Sequence, residues 1–251
     1  MSVWSKLKGG WRMCHLSAGD YAQNAHLYLV KADGSHTVLG ADADHSKLRA
    51  WFDSKKKPRL FRNGSANDLT GALGAAKALV EARVLKSVLM VYAPIGILDY
   101  TSRFRQYNPA VDAVVLEFAR LTKEKKKKGS IWTHSFAGPA TTIALSNLRA
   151  EDVRYVRHQS IAPAYYHANE YKGGLWNTKV ETIIYQATGD VVSRSGSYTQ
   201  NPYSLAHGSV HNDIIVARAN ITFHPIEDGA HPIATYLASE KLDRREHGGD
   251  D

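Results

Sequence analysis

Three residues whose types could act together on an acyl bond occur in a suggestive order along the chain. Ser135 lies in Gly129-Ser-Ile-Trp-Thr-His-Ser-Phe-Ala-Gly-Pro139, Asp190 in Ala187-Thr-Gly-Asp-Val-Val192, and His231 in Glu227-Asp-Gly-Ala-His-Pro232. A serine hydroxyl is a poor nucleophile at neutral pH. An imidazole can take its proton and later return one to the leaving group, while a buried carboxylate fixes the imidazole tautomer and stabilises the imidazolium. Ser135 ends a short apolar run and is followed by small residues and a helix-like stretch over 140–148. A serine on such a strand-to-helix turn stands beside backbone N–H groups that favour developing negative charge. The competing reading is a serine that caps a helix at 139. Two backbone donors are expected to hold the oxyanion: Phe136, directly after the nucleophile, and the loop Asn63-Gly64-Ser65, where a glycine lets backbone approach a substrate closely. An ordinary Asn-Gly turn is the alternative there.

Other residues compete for these roles. Asp213 and Asp228 are alternative acids, and His224, His207 and His211 alternative bases. His134 adjoins the nucleophile, but its side chain should point away from that of Ser135 and pack beneath the site or bond to backbone. His207 and His211 are four apart, yet Gly208 lies between them and no Glu stands beside the first. They therefore do not match a zinc-protease helix, and neither a metal nor another cofactor is expected. No glycine-rich nucleotide fingerprint occurs, because Gly71 and Gly74 lie inside a helix pattern.

The elements that must position these residues follow from periodicity. Residues 26–32 alternate as a strand, Asp33-Gly34 is a hairpin signal, and 36–40 is the return strand. A charged, turn-rich segment is expected over 41–57, and a strand over 59–62. Leu69, Leu73, Ala76, Val80 and Val84 share a helical face, with Asn67 or Ser65 as its cap. Continuous apolar runs predict strands at 87–93, 129–134, 153–161, 180–187 and 214–223. Val111, Val114, Val115, Phe118 and Leu121 predict a further helix, and a last one starts near Pro232 and runs to 242. After the hairpin, strands and helices alternate. This implies an α/β fold with a mostly parallel sheet of about eight strands and helices on both faces. Such sheets bind ligands at the carboxyl ends of their strands, where Ser135, Asp190 and His231 fall after the fifth, seventh and eighth strands. A leader over 1–25, one domain over 26–242 and a tail over 243–251 are expected.

On Thr133-His-Ser-Phe-Ala137, the Gly189-Asp190 turn and the Gly229-Ala-His231 loop, the chain resembles the α/β-hydrolase superfamily on its lipase and esterase side. The nucleophile–acid–histidine order agrees with that arrangement. Asn63-Gly64, His134-Ser135 and Ile161-Ala162-Pro163 are also similar to uncharacterised lipase-like bacterial proteins. The resemblance covers roughly 26–242 and implies hydrolysis of an ester or similar acyl bond without a cofactor. One position departs from the common Gly-x-Ser-x-Gly elbow. Thr133 is β-branched and is expected to crowd the turn, with Gly138 relieving part of the crowding. A non-catalytic scaffold of the same fold, used for binding, is the second reading.

The segments 164–178 and 191–212 sit where such a fold carries cap or substrate-binding insertions. They contain Tyr165, Tyr166 and Tyr198, which with Asn63 are candidates for substrate contact. The balance of 251 residues, 43% hydrophobic and 22% charged, suits one sizeable core. The single cysteine, Cys14, excludes an intrachain disulfide. A net charge of +8 points to an anionic neighbour. The excess is concentrated at 55–62 (Lys55, Lys56, Lys57, Arg59, Arg62) and at 123–128 (Lys123 and Lys125 to Lys128). These clusters are candidates for peripheral contact with an anionic membrane, alongside a small-molecule or lipid ester as substrate. The bland reading is a solvated loop and a lysine-rich helix end. Nucleic acid is not favoured, since no binding motif or interleaved aromatic accompanies the lysines. No apolar run reaches membrane-spanning length and the first residues lack an apolar signal region. A cytoplasmic protein, or one exported by a route that reads no signal peptide, is expected.

Overall fold

A computed structural model describes residues 25–64, 68–93, 109–163, 177–187, 189–190, 219–226, 232–239 and 242. Its strands are β1 (His26–Val30), β2 (His36–Ala41), β3 (Arg59–Arg62), β4 (Val88–Tyr92), β5 (Gly129–His134), β6 (Val156–Ile161), β7 (Glu181–Ala187) and β8 (Ile221–Ile226). They form one sheet in the order β2-β1-β4-β3-β5-β6-β7-β8. From β4 to β8 every neighbouring pair is parallel, and only β1 runs against its neighbours β2 and β4.

The central strands β3 to β6 are buried on both faces, which is why they read as continuous apolar runs. Successive residues enter opposite cores. Leu60, Leu89, Val91 and Ile131 pack on one face, while Phe61, Val88, Met90 and Trp132 pack on the other. The first face is covered by α1 (Ser46–Asp53), α3 (Pro109–Glu124), α4 (Ala137–Ser146) and α5 (Ala150–Val153), the second by α2 (Leu69–Glu81) and α6 (Ile233–Leu237). The five α3 residues singled out by spacing are all buried. This is the mostly parallel α/β sheet with helices on both faces that the alternation implied.

Several local expectations need correction. The segment 41–57 is not turn throughout: α1 forms there, because Leu48, Trp51 and Phe52 make one apolar face within a charged stretch. Its first turn is held by the Asp42 carboxylate, which accepts the N–H groups of Lys47 (2.9 Å) and Leu48 (2.8 Å). The cap of α2 is Asp68, whose side chain accepts the Gly71 N–H at 2.9 Å, and not Asn67 or Ser65. The strand expected over 153–161 begins only at Val156, because the short helix α5 ends at Val153 and a turn follows. β8 continues through Pro225 to Ile226, past the expected end at 223, since an edge strand tolerates a proline. Among the described residues no helix is long and apolar enough to cross a membrane.

The basic cluster at 55–62 is also not all surface. Arg59 and Arg62 are 2% and 3% exposed, so they cannot meet a flat membrane as the lysines can. The two clusters adjoin in space: Lys127 Nζ donates to the Lys55 carbonyl at 2.6 Å and lies over the Phe52 ring.

Candidate active site

All six residues of β5 are buried, and the strand delivers Ser135 directly at its carboxyl end. Ser135 has φ of 57°, in the left-handed region. An L-residue there carries roughly 1–2 kcal/mol of strain, and such strain persists only where the surroundings hold it. Here the Ser135 N–H donates to the Ile161 carbonyl at 3.0 Å, and the Gly138 N–H donates to the Ser135 carbonyl at 3.0 Å. The turn is thereby bonded to the end of β6 on one side and to the start of α4 on the other. Phe136 stands at the N-terminal boundary of α4 with helical dihedrals (φ −58°, ψ −24°).

The loop after β3 presses against this turn. A Cβ placed on Gly64 would lie 2.7 Å from Ser135 Cβ, 2.8 Å from the His134 carbonyl oxygen and 3.3 Å from Ser135 Oγ. Only glycine fits, and the backbone of 63–64 is therefore within reach of anything attached to Ser135 Oγ. Both side-chain amide atoms of Asn63 are buried without a hydrogen-bond partner among the described residues. A buried amide left unsatisfied is uncommon and calls for a partner.

Thr133 does not crowd the elbow. It is fully buried, and its hydroxyl lies 2.9 Å from His158 Nε2 and donates to the Gln159 carbonyl at 3.4 Å. Its hydroxyl is thus directed across to β6. The tight approach occurs instead at Gly138, where a Cβ would lie 2.4 Å from Ser160 Oγ and 3.0 Å from Pro163 Cβ. The space that a small residue before the serine would supply is supplied three residues after it.

Asp190 is fully buried after β7, and its N–H donates to the Ala187 carbonyl at 3.3 Å. Its carboxylate accepts a hydrogen bond from the Tyr236 hydroxyl at 2.8 Å, and the same hydroxyl accepts the Ala187 N–H at 3.0 Å. Burial first, and then the Asp190 charge, push the Tyr236 phenol far above its ordinary range, so it remains a donor. Tyr236 was not apparent from sequence: it lies forty-six positions from Asp190, and no motif links the two. His224, one of the competing bases, lies within β8, level with Tyr185, Ile161 and His134 across the sheet. That places it three strands from His134, roughly 14 Å. Its ring stacks on Tyr185 at 5.4 Å, so it cannot bond to Ser135. His134 is buried, as expected of a residue packed beneath the turn. His231, Ser65, Tyr165, Tyr166 and Tyr198 lie outside the described residues, as do Cys14, His207, His211, Asp213 and Asp228.

A polar layer supports the turn from below. Arg62 Nη1 donates to Asp112 Oδ1 on α3 at 2.7 Å and to Thr141 Oγ1 on α4 at 3.3 Å. The end of β3, which carries Asn63 and Gly64, is thus tied to the helix that follows Ser135. Burial raises the Asp112 carboxyl while Arg62 lowers it, with burial the larger influence. Burial also holds His158 near 3, assisted by the Arg62 charge, so its ring is neutral. Among the described residues no group of three or more His, Cys, Asp and Glu converges as metal ligands would.

No family model matches the chain, and no curated protein does. Solved structures are similar in shape. An esterase from the hyperthermophilic archaeon Pyrobaculum calidifontis has 11% identity and a TM-score of 0.49, over 96% of this chain and 87% of that one. Dienelactone hydrolase from Anabaena variabilis has 14% identity and a TM-score of 0.44, over 74% and 78%. A lidless α/β serine hydrolase from Xanthomonas campestris has 15% identity and a TM-score of 0.43, over 72% and 76%.

Proposed function

We propose that the chain is a serine hydrolase that cleaves a carboxylic ester through an acyl-enzyme. The observation that carries the reading is Ser135 in the left-handed region at the end of β5, with the backbone of Gly64 pressed against it. In this reading Ser135 Oγ attacks the ester carbonyl as His231 takes its proton. The tetrahedral oxyanion is met by the Phe136 N–H and by N–H groups of the Gly64-Ser65 loop. His231 then protonates the departing alcohol. Water, deprotonated by His231, attacks the acyl carbon and restores the serine. Asp190, bonded to Tyr236, holds the His231 tautomer and balances the imidazolium. The unsatisfied Asn63 amide supplies hydrogen bonds to a polar part of the substrate beside the scissile bond. Tyr165, Tyr166 and Tyr198 are the proposed apolar contacts for the acyl or alcohol portion, and lipid esters belong to the substrate class.

The test is labelling by a fluorophosphonate probe, then turnover of a panel of p-nitrophenyl esters. Wild type should label and turn over, and Ser135→Ala should do neither while keeping its melting temperature. Labelling that survives in Ser135→Ala would remove Ser135 from the role. A folded wild type that neither labels nor turns over any ester would favour the non-catalytic scaffold.

A further inference from the structure

Among the described residues, five that are not glycine have positive φ: His45, Arg83, Lys126, Ser135 and Ala162. Arg83 and Lys126 follow the ends of α2 and α3, where a left-handed residue is ordinary, and His45 stands at the start of α1. Ser135 and Ala162 differ from these. Each directly follows a strand, and the last residues of those strands, His134 and Ile161, are level across β5 and β6. Two left-handed turns therefore leave neighbouring strands at the same height. Ala162, with φ of 49°, is the more costly of the two. It is fully buried, its Cβ is disfavoured in the left-handed region, and it precedes Pro163, whose ring further restricts the residue before it. A glycine would take this conformation without that cost. Strain of this kind persists where the surroundings hold it, and it gathers at functional sites.

The strained turn after β6 bears on the serine. Two backbone hydrogen bonds hold the Ser135 turn: its N–H donates to the Ile161 carbonyl at 3.0 Å, and its carbonyl accepts the Gly138 N–H at 3.0 Å. Both partners are set by the exit from β6. Ile161 is the residue before Ala162. A Cβ on Gly138 would meet Ser160 Oγ and lie 3.0 Å from Pro163 Cβ and 3.5 Å from Pro163 Cα, so α4 packs directly on this stretch. Ala162 is fixed in turn from β7, its N–H donating to the Tyr185 carbonyl at 2.8 Å. An alanine followed by a proline has fewer conformations open to it than a glycine would, so the turn is stiff where it is strained.

We infer that Ala162 and Pro163 are positioning residues for Ser135. Their stiff turn fixes the Ile161 carbonyl and the first turn of α4, and through them the direction of Ser135 Oγ. The inference rests on the reading of Ser135 as the nucleophile.

Wild type, Ala162→Gly, Pro163→Ala and Arg83→Gly are compared for turnover of p-nitrophenyl acetate, saturable labelling by a fluorophosphonate and thermal melting. Arg83→Gly is the control, because it relieves an exposed left-handed residue at the end of α2. Ala162→Gly should melt no lower than wild type, since glycine relieves the strain. Its kcat and maximal labelling rate should nevertheless fall about tenfold, as a displacement of a fraction of an ångström at the nucleophile would cause. KM and the half-saturating probe concentration should stay within about twofold, because what is lost is made only in the transition state. Pro163→Ala should lose rate in the same way, and Arg83→Gly should keep wild-type rates. A folded Ala162→Gly with kcat within about twofold of wild type overturns the proposal. So does an equal fall in Arg83→Gly, which would mean general loosening, or a loss confined to KM. Should Ala162→Gly fail to fold, a folded Pro163→Ala with wild-type kcat is the overturning result. A wild type that neither labels nor turns over ester removes the hydrolase reading and this proposal with it, whereas an active wild type with unaltered variants removes the proposal alone.

Discussion

Replacing Gly64 by alanine probes the proposed oxyanion loop more directly than any change to the serine. The added Cβ would sit 2.7 Å from Ser135 Cβ and 2.8 Å from the His134 carbonyl oxygen, against an ordinary contact of 3.4 Å or more. The loop or the serine turn must therefore give by about 0.7 Å (3.4 less 2.7). The turn is bonded to β6 and α4 and the loop is anchored by Arg62 to α3 and α4, so neither side yields freely. A misplacement of about 1 Å at reacting groups costs on the order of 10²-fold in rate, and loss of one oxyanion donor costs ~3 kcal/mol, again on the order of 10²-fold. The expected outcome for Gly64→Ala is a fall in kcat/KM for p-nitrophenyl acetate of that order, mostly in kcat, with a matching loss in fluorophosphonate labelling rate. Overpacking should lower stability by about 1–3 kcal/mol, a fall in Tm of roughly 2–4 °C per kcal/mol for a chain of this size, so assays well below Tm separate the two effects. Gly74 is the control: it lies in α2 with nothing within 4 Å of an added Cβ, and Gly74→Ala should raise stability by up to ~1 kcal/mol at unchanged rate. A Gly64→Ala protein that hydrolyses ester within about threefold of wild type would refute the placement of the oxyanion donors.

Two further outcomes follow from the supporting residues. Tyr236→Phe removes the donor to Asp190 and the acceptor of the Ala187 N–H; it should cost about 1–3 kcal/mol in a urea titration and lower kcat, and an unchanged protein would remove Tyr236 from any role at the acid. His158 is held near 3 in the folded state against 6.5 ordinarily, so between those values the unfolded chain binds the extra proton. Stability from this group is complete above pH 6.5 and is lost as pH falls towards 3, with a slope of about 1.4 kcal/mol per pH unit. In His158→Gln the acid side of the stability profile should be shallower by that amount, and superimposable wild-type and variant slopes would contradict a neutral buried ring.

Much of the frame was legible because each central strand is buried on both faces and each long helix on one, which writes unbroken apolar runs and three-four spacings into the chain. What failed to show has local causes. The helix at 46–53 is short, and its apolar face of Leu48, Trp51 and Phe52 is diluted by charge. Arg62 sits among lysines in the sequence, yet the fold turns it inward to Asp112 and Thr141. Nothing in residue spacing distinguishes a buried guanidinium from a solvated one when its partners are fifty and seventy-nine positions away.

The elbow shows the same separation between what a motif records and what the physics needs. Gly-x-Ser-x-Gly is a statement about residue types, but the requirement beneath it is room for a helix to start against a neighbouring strand while the serine stays in the left-handed region. Thr133 violates the motif without using that room, because its side chain is absorbed by His158 and the Gln159 carbonyl. Gly138 meets the requirement: a Cβ added there would lie 2.4 Å from Ser160 Oγ, so a larger residue would force α4 away from β6. Since the Gly138 N–H is also what bonds the Ser135 carbonyl, the residue that makes the room also helps hold the strained turn. Thr133 is therefore weak evidence for a decayed elbow: in this chain the turn depends on Gly64 on one side and Gly138 on the other.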